Sequence, residues 1–302
     1  MNISSHLQDF IKLGDSLRDL GIESEISLPR ICVIGTQSAG KSSLLESIVG
    51  YDFLPRGEGV VTRMPLELRL VRLPVQSGEE PKPYAKFKGE TETIEDLSLL
   101  RDLIEKKQEQ IGDGKQIIDK PIVLIIYSPF VPDLSLVDLP GITRVPIGNQ
   151  PKNIEEITKD ISRRYIKDER TIILCVTPAS VDLTTSDSIQ MAQQFDPTGS
   201  RTLGVITKID LMDRGTDAMN ILENKAIPLK HGYIAVKNRS QEDINKKMSV
   251  KIALEKEEEW FAGHEKYSHV LDRCGSKRLA ERLSQLLYQH ILNNLPNIAE
   301  EI

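Results

Sequence analysis

The sequence predicts an α/β domain, an enlarged and mostly parallel central sheet covered by helices on both faces, with further helices at the two termini. Three observations carry that expectation. Short apolar runs alternate with stretches of helical periodicity along most of the 302 residues, as strands joined by crossover helices do. A glycine-rich loop starting at Gly35 stands between one apolar run and a helical stretch, the setting in which a helix N-terminus meets an anion. Both ends of the chain carry aliphatic residues at helical spacing outside the alternation.

Taken in order, residues 5–20 place Leu7, Phe10, Ile11, Leu17 and Leu20 on one helical stripe. "RICVIG" (30–35) reads as a buried strand and "SSLLESIVG" (42–50) as the helix that follows. The region 71–120 then breaks the pattern: "LPVQSGEEPKP" is a polar turn or loop, and 93–110 is a charged helix candidate. The connection to the next strand is therefore unusually long, as functional insertions and tolerated surface segments both are. "PIVLIIYSP" (121–129) and "LSLVDLP" (134–140) read as a neighbouring strand pair. "TIILCVTP" (171–178), "TLGVITK" (202–208) and "YIAVKN" (233–238) read as further buried strands, with helical stretches at 151–167, 184–195 and 216–230. Finally Leu279, Leu283, Leu286, Leu287, Ile291 and Leu295 repeat at helical spacing. Each terminal helix either packs on the sheet domain or pairs with the other in a small bundle. The second pattern runs to the last residues without a stop signal, so the natural chain is expected to continue beyond Ile302. The division that follows is a helix at 1–27, a main domain at 28–275 and a helix at 276–302.

Composition narrows the function classes. Hydrophobic residues make up 39% and charged residues 28%, as in ordinary globular domains. The net charge is −6, without a block of lysines or arginines. That argues against a nucleic-acid binder and gives no support for an electrostatic membrane surface in this segment. No apolar run approaches the length of a transmembrane helix, and "MNISSHLQDFIKLGD" lacks the pattern of a secretory signal. Cys32, Cys175 and Cys274 are far apart, two of them inside strand-like runs. They read as small buried hydrophobes in a reducing, cytoplasmic compartment. His264 and His269 would not share a helix face, so no metal site is read from them.

Gly35-Thr36-Gln37-Ser38-Ala39-Gly40-Lys41-Ser42 matches G-x-x-x-x-G-K-[ST], after a strand and before a helix. Glycines admit positive φ and close backbone approach, so the N–H groups of this loop, through Ser43, can converge on phosphate oxygens. Lys41 would reach the β- and γ-phosphates and the Ser42 hydroxyl would ligate Mg²⁺. Asp138, ending a strand in "LSLVDLPG", suits a carboxylate that holds the Mg²⁺ shell through water, and Gly141 offers its N–H to the γ-phosphate. In "TKID" (207–210), the Asp210 carboxylate can accept from both N1–H and the exocyclic amine of guanine, a donor pair that adenine lacks. The stem of Lys208 can lie along the base. "KNRSQ" (237–241) follows the next strand, where Asn238, Arg239 and Gln241 offer further base or ribose contacts.

The runs "LPRICVIGTQSAGKSSLLESIVGYDFLPRGEGVVTRMPLELRL", "LSLVDLPGITRVPIGNQP", "TKIDLMDRGTDA" and "KNRSQEDI" resemble the GTPase domain of the dynamin superfamily, from about residue 5 to 302. The resemblance implies a P-loop GTPase domain with an enlarged sheet, and terminal helices that join a third, distant helix in a bundle. It implies GTP and GDP as ligands, Mg²⁺, homodimers formed through the GTPase domains and higher homo-oligomers formed through a stalk absent from this chain. It also implies action at a membrane or organelle surface through parts outside this chain. Membrane remodelling or fission is the leading expectation; the alternative is an Mx-like scaffold whose GTP-controlled assembly acts on a protein target. Carried over residue by residue, Thr62 is the threonine that closes over Mg²⁺ and the γ-phosphate. Gln37 and Ser38 organise the attacking water and its charge, and Gly57 and Gly59 line the same region through their backbone. Asp210, Asn238, Arg239 and Gln241 surround base and ribose, and Asp213 reaches across a dimer. Thr207 stands where many GTPases have Asn. Ile142 stands where Ras-like switches have a water-orienting Gln. Charge at the bridging oxygen falls either to Arg56 or Arg63, or to Na⁺ or K⁺ held by the Ser38 hydroxyl and the carbonyls of Gly57 and Gly59.

Overall fold

The computed structural model describes residues 28–56, 62–75, 81–111, 117–146 and 150–301. The N-terminal helix expected within 1–27, and Gly57 and Gly59, lie outside the described residues. The strands are β1 (Arg30–Gly35), β2 (Leu66–Arg72), β3 (Tyr84–Phe87), β4 (Ile122–Ser128), β5 (Leu134–Asp138), β6 (Thr171–Pro178), β7 (Thr202–Thr207) and β8 (Tyr233–Ala235). They form one 8-stranded sheet in the order β3-β4-β2-β5-β1-β6-β7-β8. From β5 through β1, β6 and β7 to β8 every pairing is parallel. β2 and β4 run parallel to each other, β2 antiparallel to β5, and β3 antiparallel to β4. The family expectation of a mostly parallel, enlarged sheet holds.

Both faces are buried, and the side-chain alternation of period two divides the core accordingly. On β1, Ile31 and Val33 enter one cluster and Cys32 and Ile34 the other. The helices are α1 (Lys41–Val49), α2 (Leu100–Ile111), α3 (Ile154–Ile166), α4 (Asp187–Phe195), α5 (Met219–Leu222), α6 (Gln241–Asn245), α7 (Val250–Gly263) and α8 (Ser276–Glu301). None of the described helices is long and apolar enough to cross a membrane. The three cysteines are buried free thiols, and burial pushes Cys32 up to about 12.

The structure corrects several sequence expectations. β4 and β5 are not neighbours, because β2 is inserted between them. "LELRLVR" carries leucines on one face, while Glu67 and Arg69, both buried, pair with each other at 2.9 Å on the other. A strand with a self-neutralising polar face can lie inside a sheet although its sequence reads as half polar. The segment 129–133 spans the end of β2, where the Arg72 N–H donates to the Asp133 carboxylate at 2.8 Å. The stretch 216–230 is helical only over Met219–Leu222; Asn224 then turns the chain by donating to the Leu229 carbonyl and accepting from its N–H. α7, capped by the Ser249 hydroxyl, had no sequence reading, because its charged face masks the burial of Glu257 and Phe261.

α8 answers one of the open alternatives for its own half. Leu279, Leu283, Leu286, Leu287 and Ile291 join the core beneath one face of the sheet, whereas Leu292 and Leu295 are exposed. Gly275, at φ 97°, turns the chain into this helix.

Candidate functional site

The carboxyl ends of the parallel strands β5, β1, β7 and β8 lie along one edge of the sheet, and ligands of open α/β sheets bind outside such ends. The loop from Gly35 leaves β1 there. Ser38 (φ 65°) and Gly40 (φ 91°) adopt left-handed conformations, and Gly40 becomes the residue that opens α1. The loop is closed on itself by Ala39 N–H to the Thr36 carbonyl at 3.1 Å.

The segment after β5 is stitched to this loop. The Gln37 N–H donates to the Ile142 carbonyl at 3.1 Å, and the Ile142 N–H donates to the Gly35 carbonyl at 3.0 Å. Between those contacts sits Gly141. A Cβ there would crowd the Gln37 backbone at 3.0 Å and Lys41 Nζ at 3.1 Å, so a larger residue would push the loop or the ammonium aside. Ile142 itself is buried in the core and its side chain cannot face a water at the loop. Thr143, which sequence reasoning passed over, donates its hydroxyl to the Gly141 carbonyl at 2.9 Å and lies 3.4 Å from Gln37 Oε1.

Lys41 is buried, with its ammonium 3.4 Å from the Gly35 carbonyl. Burial lowers its pKa, and Asp138 opposes the shift. Asp138 is fully buried, and burial pushes its carboxyl up to about 6 against the pull of Lys41 and a contact with the Thr62 hydroxyl. Thr62 Oγ1 stands 3.5 Å from Asp138 Oδ2, while Oδ1 has no hydrogen-bond partner. A buried carboxylate oxygen without a partner is costly, and a hard cation is the group it suits. Ser42, one residue beyond Lys41 in the first turn of α1, Thr62 and Asp138 supply the oxygen chemistry that Mg²⁺ takes. The residues present therefore fit that ion.

On the base side, Thr207 ends β7 and donates its hydroxyl to the Ala39 carbonyl at 2.6 Å. The threonine thus ties the phosphate loop to the base motif. Lys208, at φ 55°, turns the chain into the short 3₁₀ segment Ile209–Leu211 that presents Asp210, half-buried, at the rim. Asn238, following β8, places Nδ2 3.4 Å from the Gly40 carbonyl and leaves Oδ1 buried without a partner. Ser43 is half-buried in the first turn of α1. Asp213 and Gln241 are exposed, the latter donating to Asn245 at 3.1 Å.

Two arginines of the expected site make ion pairs with carboxylates. Arg239, expected at the base or ribose, is 4% exposed at its side chain and donates to Glu46 at 2.8 Å, to Asp52 at 3.1 Å and to the Met248 carbonyl at 3.0 Å. Arg56, expected at the phosphates, pairs with Glu46 and, at 2.9 Å, with Asp52. One Nη of each guanidinium donates to both Glu46 and Asp52, carboxylates on and just after α1. The signal that was available is Glu46 itself, a carboxylate among Leu44, Leu45 and Ile48 on a buried helix face.

Replacing Thr207 with Val keeps the shape and removes the hydroxyl, leaving the Ala39 carbonyl unsatisfied. A buried acceptor so stranded costs about 1–3 kcal/mol. We expect nucleotide affinity of Thr207→Val to fall by roughly tenfold, read by calorimetry, with Thr207→Ser restoring it.

A family model described as the Dynamin family matches residues 31–209, and one described as the Dynamin central region matches residues 217–302. The chain is 46% identical to "Dynamin-2" of Bos taurus over 293 residues, covering 96% of this chain and 33% of the relative. It is 48% identical to "Dynamin-related protein 3B" of Arabidopsis thaliana over 295 residues, 96% of this chain and 38% of the relative. It is 46% identical to "Dynamin" of Drosophila melanogaster over 292 residues, 96% and 33%. The chain thus spans about a third of the length of the curated relatives it matches.

Proposed function

The chain belongs to the dynamin family, and from that premise we propose that it is the domain that binds GTP with Mg²⁺ and hydrolyses it to GDP and phosphate. The observation that carries the reading is the buried Asp138 carboxylate with its unpartnered oxygen and the buried Lys41, with Gly141 closely approaching the loop that Lys41 ends.

Lys41 neutralises the β- and γ-phosphates, and the loop from Gly35 to Ser43 wraps them with backbone donors. Ser42, Thr62 and Asp138 would hold Mg²⁺, which would supply positive charge to offset that of the phosphates. Because Ile142 is buried, orientation of the attacking water falls to Gln37, Ser38 and Thr62. Asp210 reads the guanine edge, Lys208 flanks the base, and Asn238 and Gln241 stand beside it. Arg239 supports this loop from behind. The exposure of Ser38 and Asp213 on the nucleotide face suits completion of the site by a second copy, with Asp213 reaching across. In the larger protein, residues 28–275 act as the GTPase domain and 276–302 lead toward a stalk. Hydrolysis there drives an assembled polymer at a cytoplasmic membrane surface to remodel or cut the membrane. With Arg56 held by Glu46 and Asp52, we assign charge at the bridging oxygen to Na⁺ or K⁺ near Ser38.

One assay tests these points together. GTP turnover is measured with Mg²⁺ at rising protein concentration, in NaCl, KCl and choline chloride. We expect hydrolysis whose turnover number rises with concentration and drops at least about tenfold in choline, given what charge at this oxygen is worth in other GTPases. Absence of any hydrolysis would overturn the reading. A flat turnover number would point to a monomeric switch, and equal rates in choline would return the role to Arg63.

A further inference from the structure

Glu46 is 1% exposed on α1, one helical turn beyond Ser42. Its Oε1 accepts from the Leu54 N–H at 3.1 Å, and its Oε2 accepts from both Arg56 and Arg239. Asp52 repeats the pattern from the surface, accepting from Arg56 at 2.9 Å, Arg101 at 3.0 Å and Arg239 at 3.1 Å. Arg101, on α2 of the long insertion, also donates to the Leu54 carbonyl at 2.9 Å.

Three segments of the site meet at this one carboxylate. α1 begins at Lys41 and Ser42. Arg56 ends the described segment that leads toward Thr62. Arg239 stands between Asn238, in contact with the Gly40 carbonyl, and the exposed Gln241. Arg56 and Arg239 come from opposite ends of the domain's sequence, and Glu46 and Asp52 are the groups that bring them together. An apolar residue at 46 would pack among Leu44, Leu45 and Ile48 without the desolvation cost of a buried ion. What the carboxylate adds is a shared charged acceptor, since one Nη of each guanidinium donates to the same Oε2.

We propose that Glu46 is a positioning residue that couples the loop of Asn238 and Gln241, beside the base, to the segment that ends at Arg56 ahead of Thr62, so that base recognition and catalysis are both tuned by one buried carboxylate. The proposal rests on the GTP-hydrolase reading above. It assigns a role to Arg56 and Arg239 that neither a base contact nor a finger at the bridging oxygen gives them.

The test is a pair of crossed readouts on folded protein. Base reading is the ratio of GDP to IDP affinity by calorimetry, IDP lacking the exocyclic amine; catalysis is kcat at saturating GTP. Arg56→Gln should reduce the GDP-to-IDP ratio, although Arg56 lies on the Thr62 side. Arg239→Lys should reduce kcat, although Arg239 lies on the base side. Each effect should be about fivefold or more, the lower end of ordinary site-to-site couplings. Glu46→Gln should produce both, and adding Arg56→Gln to it should change neither further. The proposal is overturned if Arg56→Gln moves only kcat and Arg239→Lys moves only nucleotide affinity. If Glu46→Gln does not fold, the two arginine variants decide alone. Wild-type turnover and wild-type GDP-to-IDP preference, measured in the same series, report separately on the hydrolase reading.

Discussion

Lys41→Ala is expected to abolish productive GTP binding. Lys41 is the buried cation of the phosphate loop, its amino group held 3.4 Å from the Gly35 carbonyl and facing the Asp138 carboxyl. Both neighbouring arginines are committed elsewhere: Arg56 and Arg239 end on Glu46 and Asp52. No other described side chain replaces the lost charge at the loop. Charge-assisted hydrogen bonds from the ammonium to two phosphates contribute about 1.5–3 kcal/mol each, so their loss is roughly a hundredfold or more in affinity. The fold itself should persist, because the Gly35 carbonyl that Lys41 contacts also accepts from the Ile142 N–H. Calorimetry with GDP and with a non-hydrolysable GTP analogue measures the loss, and unchanged thermal unfolding of the nucleotide-free protein confirms folding. Near wild-type affinity would overturn the placement of the phosphates.

Asp210→Asn is expected to exchange guanine for xanthine. The half-buried carboxylate in the turn after Lys208 offers two acceptor oxygens. Guanine presents two donors on that edge, whereas xanthine has a carbonyl where guanine has its amine. The amide of Asn presents a donor to that carbonyl. Sites built to pair a polar edge reject a mismatched one strongly, because a buried group is left unpaired. GTP affinity should therefore fall by about a hundredfold or more and XTP affinity should rise, so that the preference inverts. Unchanged selectivity for GTP over XTP in competition binding would show that Asp210 does not read the base.

The phosphate loop, "DLPG" and "TKID" were legible because their residues are near one another in sequence and their chemistry needs few others. Gly40 and Gly141 show why spacing suffices there. The first takes a left-handed turn, and at the second a Cβ would crowd Gln37. Strands β1, β6 and β7 were legible for a similar reason, since each is buried along almost its full length and reads as a continuous apolar run. β2 was not, since its polar face is buried with a Glu67–Arg69 pair that composition cannot distinguish from solvent-facing charge.

What the sequence by itself determined about this protein is therefore local: the strand–loop–helix with left-handed Ser38 and Gly40, the strand that ends in Asp138, and the half-buried Asp210 after Lys208. Each depends on backbone conformation and residue type over a few positions. Where the arginines go was decided only by the tertiary structure. Arg56 and Arg239 lie in motifs that read as ligand contacts, yet a guanidinium has a long reach and goes to the carboxylate that burial leaves in need of donors. That carboxylate, Glu46, lies on a helix whose local sequence says nothing about either arginine. The order β4-β2-β5 was decided in the same way, because strand neighbours are chosen by which buried faces and backbone donors remain unpaired once the chain has collapsed.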